Sequence, residues 1–289
     1  MTGNEANVMK RPFQRRAVLN FATQFAVAGL TMAGSRGVFA DEKSAFDPTF
    51  AGWDALLKKH VRWLPDNKQS RVDYKGFLAD RAALQKLLAD WSAVTPAAFA
   101  AFNREQQMAF LINAYNGFTV ELILTKYPGV KSIKDIGSTF QSPWKSKFFT
   151  LLGEQRNLDW IEHEQLRPKY NDPRVHTAVN CASIGCPALR PEAFTAAKLD
   201  AQLDDGMKRF MGDSTRNRYN AAAGKVEVSA IFKWFREDFE KGHRGFNKLE
   251  DVFAFYADQL TDDPAGRDKL RGKAVGITFL DYDWSLNGQ

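Results

Sequence analysis

The stretch that decides the fold runs Gln106-Gln-Met-Ala-Phe-Leu-Ile-Asn-Ala-Tyr-Asn-Gly-Phe-Thr-Val-Glu-Leu-Ile-Leu124. It holds no Lys or Arg, and apolar residues fall on every side of a helical wheel. A helix that is apolar all round is a buried one, so this segment is expected to run through the middle of the fold. Asn113, Asn116 and Glu121 must then find partners, because a buried polar group left unpaired costs about 1–3 kcal/mol. Asn113 and Asn116 are three apart and share a face. Two roles are open to them: bracing neighbouring loops through backbone hydrogen bonds, or orienting a catalytic group.

Other elements are expected around this helix. Phe50 to Leu64 has helical spacing and ends at Pro65-Asp66-Asn67; Arg71 to Tyr74 is extended; Gly76 to Val94 is a second amphipathic helix. Thr95-Pro96 reads as a helix start, a capping side chain before a proline at the first helical position. Phe148 to Leu158 suggests a hairpin around Gly153-Glu154, and Asp159-Trp160-Ile161-Glu162 has the spacing of a capping box. On the helix that follows, Asp159, His163, Leu166 and Tyr170 lie along one stripe. Helices are expected at Thr195 to Met211, Ala230 to Phe239 and Phe246 to Gln259, with strands at Val226 to Val228 and Ala274 to Leu280. The mixture predicts an α/β (α+β) fold, a single domain with the buried central helix packed on a small sheet.

The chemistry concentrates in His176-Thr-Ala-Val-Asn-Cys-Ala-Ser-Ile-Gly-Cys-Pro187, which holds both cysteines and one of the four histidines of the chain. Alternation over Arg174 to Asn180 predicts a strand, with Val175, Thr177 and Val179 on one face and His176, Ala178 and Asn180 on the other. Ser183, Gly185 and Pro187 then turn the chain into a loop. Such a loop presents a nucleophilic thiol well, and it also suits a disulfide.

The N-terminus reads as an export signal over residues 1–40. Lys10, Arg11, Arg15 and Arg16 precede an apolar, uncharged stretch from Ala17 to Gly34, and Val38-Phe39-Ala40 supplies a cleavage site after Ala40. The Arg15-Arg16 pair resembles a twin-arginine signal, with the ordinary secretory route as the alternative. Cleavage would remove five basic residues and one acid, so the formal charge of +6 falls to about +2. Nucleic acid is therefore not an expected partner, and after the signal no apolar run is long enough to span a bilayer. Residues 41–289 would then form one globular domain, periplasmic or secreted. In that oxidising setting two cysteines favour a disulfide.

Five ordered blocks carry a resemblance: Phe110 to Asn116; Ile161-Glu-His163 with Leu166-Arg167; Asp172-Pro-Arg174 with His176; Asn180-Cys-Ala-Ser183 with Gly185-Cys-Pro187; and Ile231 to Phe235. Together, over about residues 105–240, they resemble the domain of unknown function 547 family, which implies no assigned reaction. More distantly, a buried helix with Cys and His as the reactive pair resembles papain and transglutaminase-like proteins. A papain-like order would put the cysteine at the start of the central helix and ahead of the histidine, whereas here that helix has no cysteine and His163 and His176 precede Cys181.

Two functions follow from these residues. In the first, a thiol-dependent amide hydrolase or acyl transferase acts on peptide or envelope substrates, with Cys181 as nucleophile and His163 or His176 as base. Asn113, Asn116, Asn180 or Glu162 would orient that base, and the backbone from Ala182 to Gly185 would bind the oxyanion. In the second, Cys181 and Cys186 form a disulfide worth about 2 kcal/mol by chain entropy, and the protein binds a peptide, small-molecule or cell-envelope ligand without catalysis. A dithiol oxidoreductase would show two residues between its cysteines, where this loop has four, and the Cys and His spacing matches no familiar zinc pattern. Neither a cofactor nor a metal is expected.

Overall fold

In the computed structural model, which describes residues 46–137 and 141–288, the decisive stretch is one helix from Arg104 to Leu124. Asn103 starts it through a capping box: its Oδ1 accepts the Gln106 N–H at 2.8 Å, and Gln106 Oε1 accepts the Asn103 N–H at 2.9 Å. From Met108 to Val120 every residue is buried. Glu121, at a less enclosed position, pairs with Arg81 at 2.7 Å. The expected export signal at residues 1–40 lies outside the described residues.

In chain order the elements begin with α1 (Ala51–His60), β1 (Val61–Trp63), β2 (Ser70–Val72), α2 (Tyr74–Ala79), α3 (Arg81–Ser92), α4 (Pro96–Ala100) and the central α5 (Arg104–Leu124). The expected helix over residues 76–94 is thus two helices, broken at Asp80. Thr95 caps α4 as expected, its hydroxyl accepting the Ala98 N–H at 3.1 Å. The hairpin follows as β3 (Phe149–Leu151) and β4 (Glu154–Arg156). Next come a π-helical segment (Trp160–Leu166), α6 (Arg167–Tyr170) and a 3-10 helix (Pro173–Thr177).

α5 packs chiefly on α3 and on the π-helical segment. At its crossing with α3, a Cβ on Gly117 would come within 2.7 Å of the Trp91 ring, so only glycine allows this approach. The small hairpin touches the same helix through Phe149, whose ring stacks on Phe118 at 3.9 Å. Trp53, Phe77, Phe110 and Ile161 complete this apolar cluster.

A second apolar cluster forms around Phe210, Val226, Phe232 and Phe253. It takes in the C-terminal end of α7 (Leu199–Met211), whose Leu199 and Leu203 belong to the first cluster, and a three-stranded sheet of β5 (Arg218–Asn220), β6 (Lys225–Ser229) and β7 (Gly276–Leu280), in that order. β6 runs antiparallel to β5 and parallel to β7, with Val226 opposite Ile277. A parallel neighbour needs a long crossover, supplied by α8 (Ile231–Trp234), α9 (Arg236–Phe239), α10 (Leu249–Phe255), α11 (Ala257–Leu260) and α12 (Pro264–Arg271). Among the described residues, no helix is long and apolar enough to cross a membrane.

Two local expectations are corrected. Residues 174–180 are no strand: Pro173–Thr177 is the 3-10 helix. Asp172 starts it by accepting the Arg174 N–H at 3.0 Å, and Pro173 takes the first helical position, where its missing N–H costs nothing. Burial on every side of the short helix, not two faces of a strand, accounts for Val175, His176 and Thr177 all being enclosed. Asp159 makes no cap either; Asn157 Oδ1 accepts the Trp160 N–H at 2.8 Å and starts the π-helical segment.

Candidate functional site

The chain from Asn180 to Pro187 is held by the C-terminal segment. Ile184 N–H donates to Ser285 O at 2.8 Å, Gly185 N–H to Asp283 O at 2.8 Å, and Asn287 N–H to Ala182 O at 3.2 Å. A Cβ on Gly185 would meet the Asp283 backbone at 3.0 Å, so the small residue lets the two strands of chain approach. Ala182 takes a left-handed φ of 60°. Asn180 Oδ1 holds that turn by accepting the Ala182 N–H at 2.9 Å. Inside it, Cys181 and Cys186 are joined by a disulfide, with Cα atoms 6.4 Å apart. The chain has two cysteines, so the disulfide leaves no thiol free.

The disulfide lies in the wall of a cleft of about 180 Å³ that opens where the two apolar clusters meet. α5 contributes Tyr115; the π-helical segment contributes Glu162 and His163; the 3-10 helix contributes His176. Trp234 and Phe235 enter from the crossover, and Tyr282 and Trp284 from the C-terminal segment. A π-helical segment is rare and turns up often at functional sites, because its wider turn re-aims side chains that an α-helix would stack.

His176 is almost fully enclosed in this wall, its side chain 1% exposed. Its ring stacks on Phe235 at 3.9 Å, and its Nε2 donates to Asp238 Oδ2 at 2.8 Å. In the neutral ring that bond leaves Nδ1 as an acceptor, and Nδ1 has no hydrogen-bond partner. Glu162 Oε1 lies 3.7 Å from it. Burial pushes the Asp238 carboxyl up, but hydrogen bonds from His176, Arg167 and Lys241 outweigh that and hold it well below the usual carboxylate range. Asp238 is therefore a charged anchor that fixes the tautomer and tilt of His176.

Glu162 is buried and faces the Tyr115 phenol. Burial first, and then the Glu162 charge, push the Tyr115 phenol well above its ordinary value, so it remains a donor. Burial does the same to Tyr282. The Tyr282 hydroxyl lies 2.9 Å from Ser183 Oγ, 3.1 Å from Cys181 Sγ and 3.0 Å from Cys186 Sγ, covering the disulfide. His163 stands at the rim, with Arg167 Nη1 at 2.9 Å from its Nδ1 and Asp159 Oδ1 at 3.7 Å from its Nε2.

Of the residues singled out in the sequence, Glu162, His163, His176, Cys181 and Cys186 converge on this cleft. The three asparagines do not line it. Asn113 bonds the Phe194 backbone through both ends of its amide, at 2.7 and 3.1 Å. Asn116 does the same between Ala178 O and Asn180 N–H, at 2.9 and 2.8 Å. Asn180 donates to Pro187 O at 2.8 Å, closing the base of the cysteine loop. These amides tie the central helix to the loops that carry the site.

The comparison with known proteins points to the same segment. Residues 99–211 match the family model described as Protein of unknown function, DUF547. That stretch belongs to the family. No curated protein and no solved structure matches the chain, so the likeness to papain and transglutaminase-like proteins stays an expectation. The DUF547 stretch holds α5, the π-helical segment, the 3-10 helix and the cysteine loop, and thus Tyr115, Glu162, His163, His176 and both cysteines. Trp234, Phe235, Asp238, Tyr282 and Trp284 complete the cleft from residues beyond it. Sequence reading passed over Tyr115, Asp238, Tyr282 and Trp284. The one available signal was the aromatic pair in Asp281-Tyr282-Asp283-Trp284, which interrupts an otherwise polar stretch.

Proposed function

We propose that the protein is a binding protein that takes a small ligand into this cleft, with the Cys181–Cys186 disulfide as a structural part of its wall. The closed disulfide carries the reading: the thiolate that nucleophilic catalysis requires is absent when both sulfurs are bonded to each other. The wall around it suits binding. Aromatic faces supply contact area at little conformational cost, and the few convergent polar groups, Glu162 and His176, supply orientation. Export to an oxidising compartment supports the same reading, since the N-terminal pattern is that of a signal and such a compartment keeps the disulfide closed.

A screen by ligand-observed NMR against the unreduced protein tests this. Trp234 stands 47% exposed at the cleft, so Trp234→Leu leaves the fold intact. Ligands that saturate the wild type and lose about tenfold in affinity in the variant support the reading. Hits that bind both proteins equally contradict it.

One observation favours a second reading, thiol-dependent hydrolysis by a reduced form. Cys181 and an Asp238-anchored His176 line the same cleft, and a nucleophile, a base and an orienting carboxylate are the parts such an enzyme needs. That reading requires hydrolysis of an amide or ester that appears on reduction and disappears in Cys181→Ala.

A further inference from the structure

The charges around the cleft are unevenly matched. Asp238 has three cationic or donor partners in Arg167, His176 and Lys241. Glu162, equally buried, has no Lys or Arg beside it, and none lines the cleft among the described residues. His176 Nδ1 lies 3.7 Å from its Oε1, and in the neutral ring, with Nε2 donating to Asp238, that nitrogen presents a lone pair. The floor of the cleft is thus a carboxylate beside a buried, unpartnered acceptor. Two acceptors at this spacing are both within reach of a single donor nitrogen carrying two or more N–H groups.

The walls fit the same occupant. Trp234 and Trp284 lie nearly parallel, with centroids 5.7 Å apart and planes at 24°, and Tyr282 packs against both at 4.9 and 4.5 Å. Ring faces attract cations. One ring of the cleft wall already does so, since Lys134 Nζ sits 3.7 Å from the Trp284 ring centroid, while Lys134 itself does not line the cleft. The volume, about 180 Å³, is ample for a substituted benzene, because an engineered cavity of about 150 Å³ accepts benzene.

We infer that the cleft takes a small organic ammonium ion that carries N–H, its nitrogen between Glu162 and His176 and its apolar part against Tyr282, Trp234 and Trp284. The inference rests on the binding reading above and names the ligand class. A neutral ring would leave Glu162 without a counter-charge, and a quaternary ammonium would leave His176 Nδ1 without a donor and Glu162 with the Tyr115 phenol alone. A primary amine with an apolar tail satisfies the floor and the wall together.

Calorimetric titration of the unreduced full chain with benzylammonium chloride and with benzyl alcohol at neutral pH tests it. Benzylammonium is expected to bind about tenfold tighter or better, the gain of a charge-assisted hydrogen bond. Glu162→Gln, checked for native near-UV circular dichroism, should abolish that advantage, so that the two probes bind alike. Trp234→Leu should weaken both probes alike, whether or not Glu162→Gln folds. Equal affinity for the two probes, or an ammonium advantage that survives Glu162→Gln, overturns the inference. So does a preference for methyl glucoside over both. In either case cleft binding weakened by Trp234→Leu leaves the binding reading standing and only the ligand class wrong. Absence of binding by all three probes overturns the ammonium inference, and the NMR screen then decides the wider reading on its own.

Discussion

Replacing Asp238 by Asn removes the charge on which His176, Arg167 and Lys241 converge, and the structure sets both the size and the pH dependence of the effect. The Asp238 side chain is 7% exposed, and its partners lie at 2.8 Å for His176 Nε2 and 2.9 Å for Lys241 Nζ. Breaking a buried pair costs about 3–5 kcal/mol. Arg167 and Lys241 are partly exposed and regain water when the carboxylate is lost, so the lower end applies, about 3 kcal/mol at neutral pH. The Asp238 carboxyl is held below its ordinary value, so its contribution is complete above that value and is lost as pH falls through the folded one. Urea unfolding of wild type and Asp238→Asn, run from pH 7 to pH 2, reads this directly. The stability gap should hold constant down to about pH 4 and narrow steadily below it. A gap under about 0.5 kcal/mol at pH 7, the size of an ordinary surface substitution, refutes the anchoring role. A gap that stays constant to pH 2 refutes the charge as its cause.

Three further outcomes follow from the packing. Asn113→Ala orphans the N–H and C=O of Phe194 and should cost about 2–4 kcal/mol in urea unfolding with an unchanged denaturant slope; a loss below about 0.5 kcal/mol would mean those groups find other partners. Gly117→Val drives a side chain into Trp91 where α3 meets α5 and should cost about 1–3 kcal/mol in thermal unfolding, with no loss expected if the helices can part freely. Tyr282→Phe removes a hydroxyl shared by Ser183 and both sulfurs and should cost about 1 kcal/mol, while an unchanged midpoint would show those contacts to be neutral.

The central helix was legible because nineteen residues without a basic side chain leave burial as the only stable placement. One side of the cleft was legible for a related reason: Glu162, His163, His176 and the cysteines lie close together in the chain, within the family stretch. The 3-10 helix at Pro173 was misread because Val175, Thr177 and Val179 alternate like a strand, while the stronger local signal, Asp172 followed by Pro173, was passed over. The opposite side of the cleft depends on tertiary contacts. Asp238 is 62 residues from His176, and Tyr282 reaches the disulfide only because the C-terminal segment bonds the backbone beside Gly185. No local periodicity encodes such pairings.

The most direct test of the central claim is the state of Cys181 in the folded, unreduced protein. Intact mass before and after treatment with iodoacetamide decides it. The account predicts a mass lower by two hydrogen atoms than the reduced chain and no alkylation. Stoichiometric labelling of Cys181, slowed in His176→Ala, would contradict the structural disulfide and make the cleft a thiol active site.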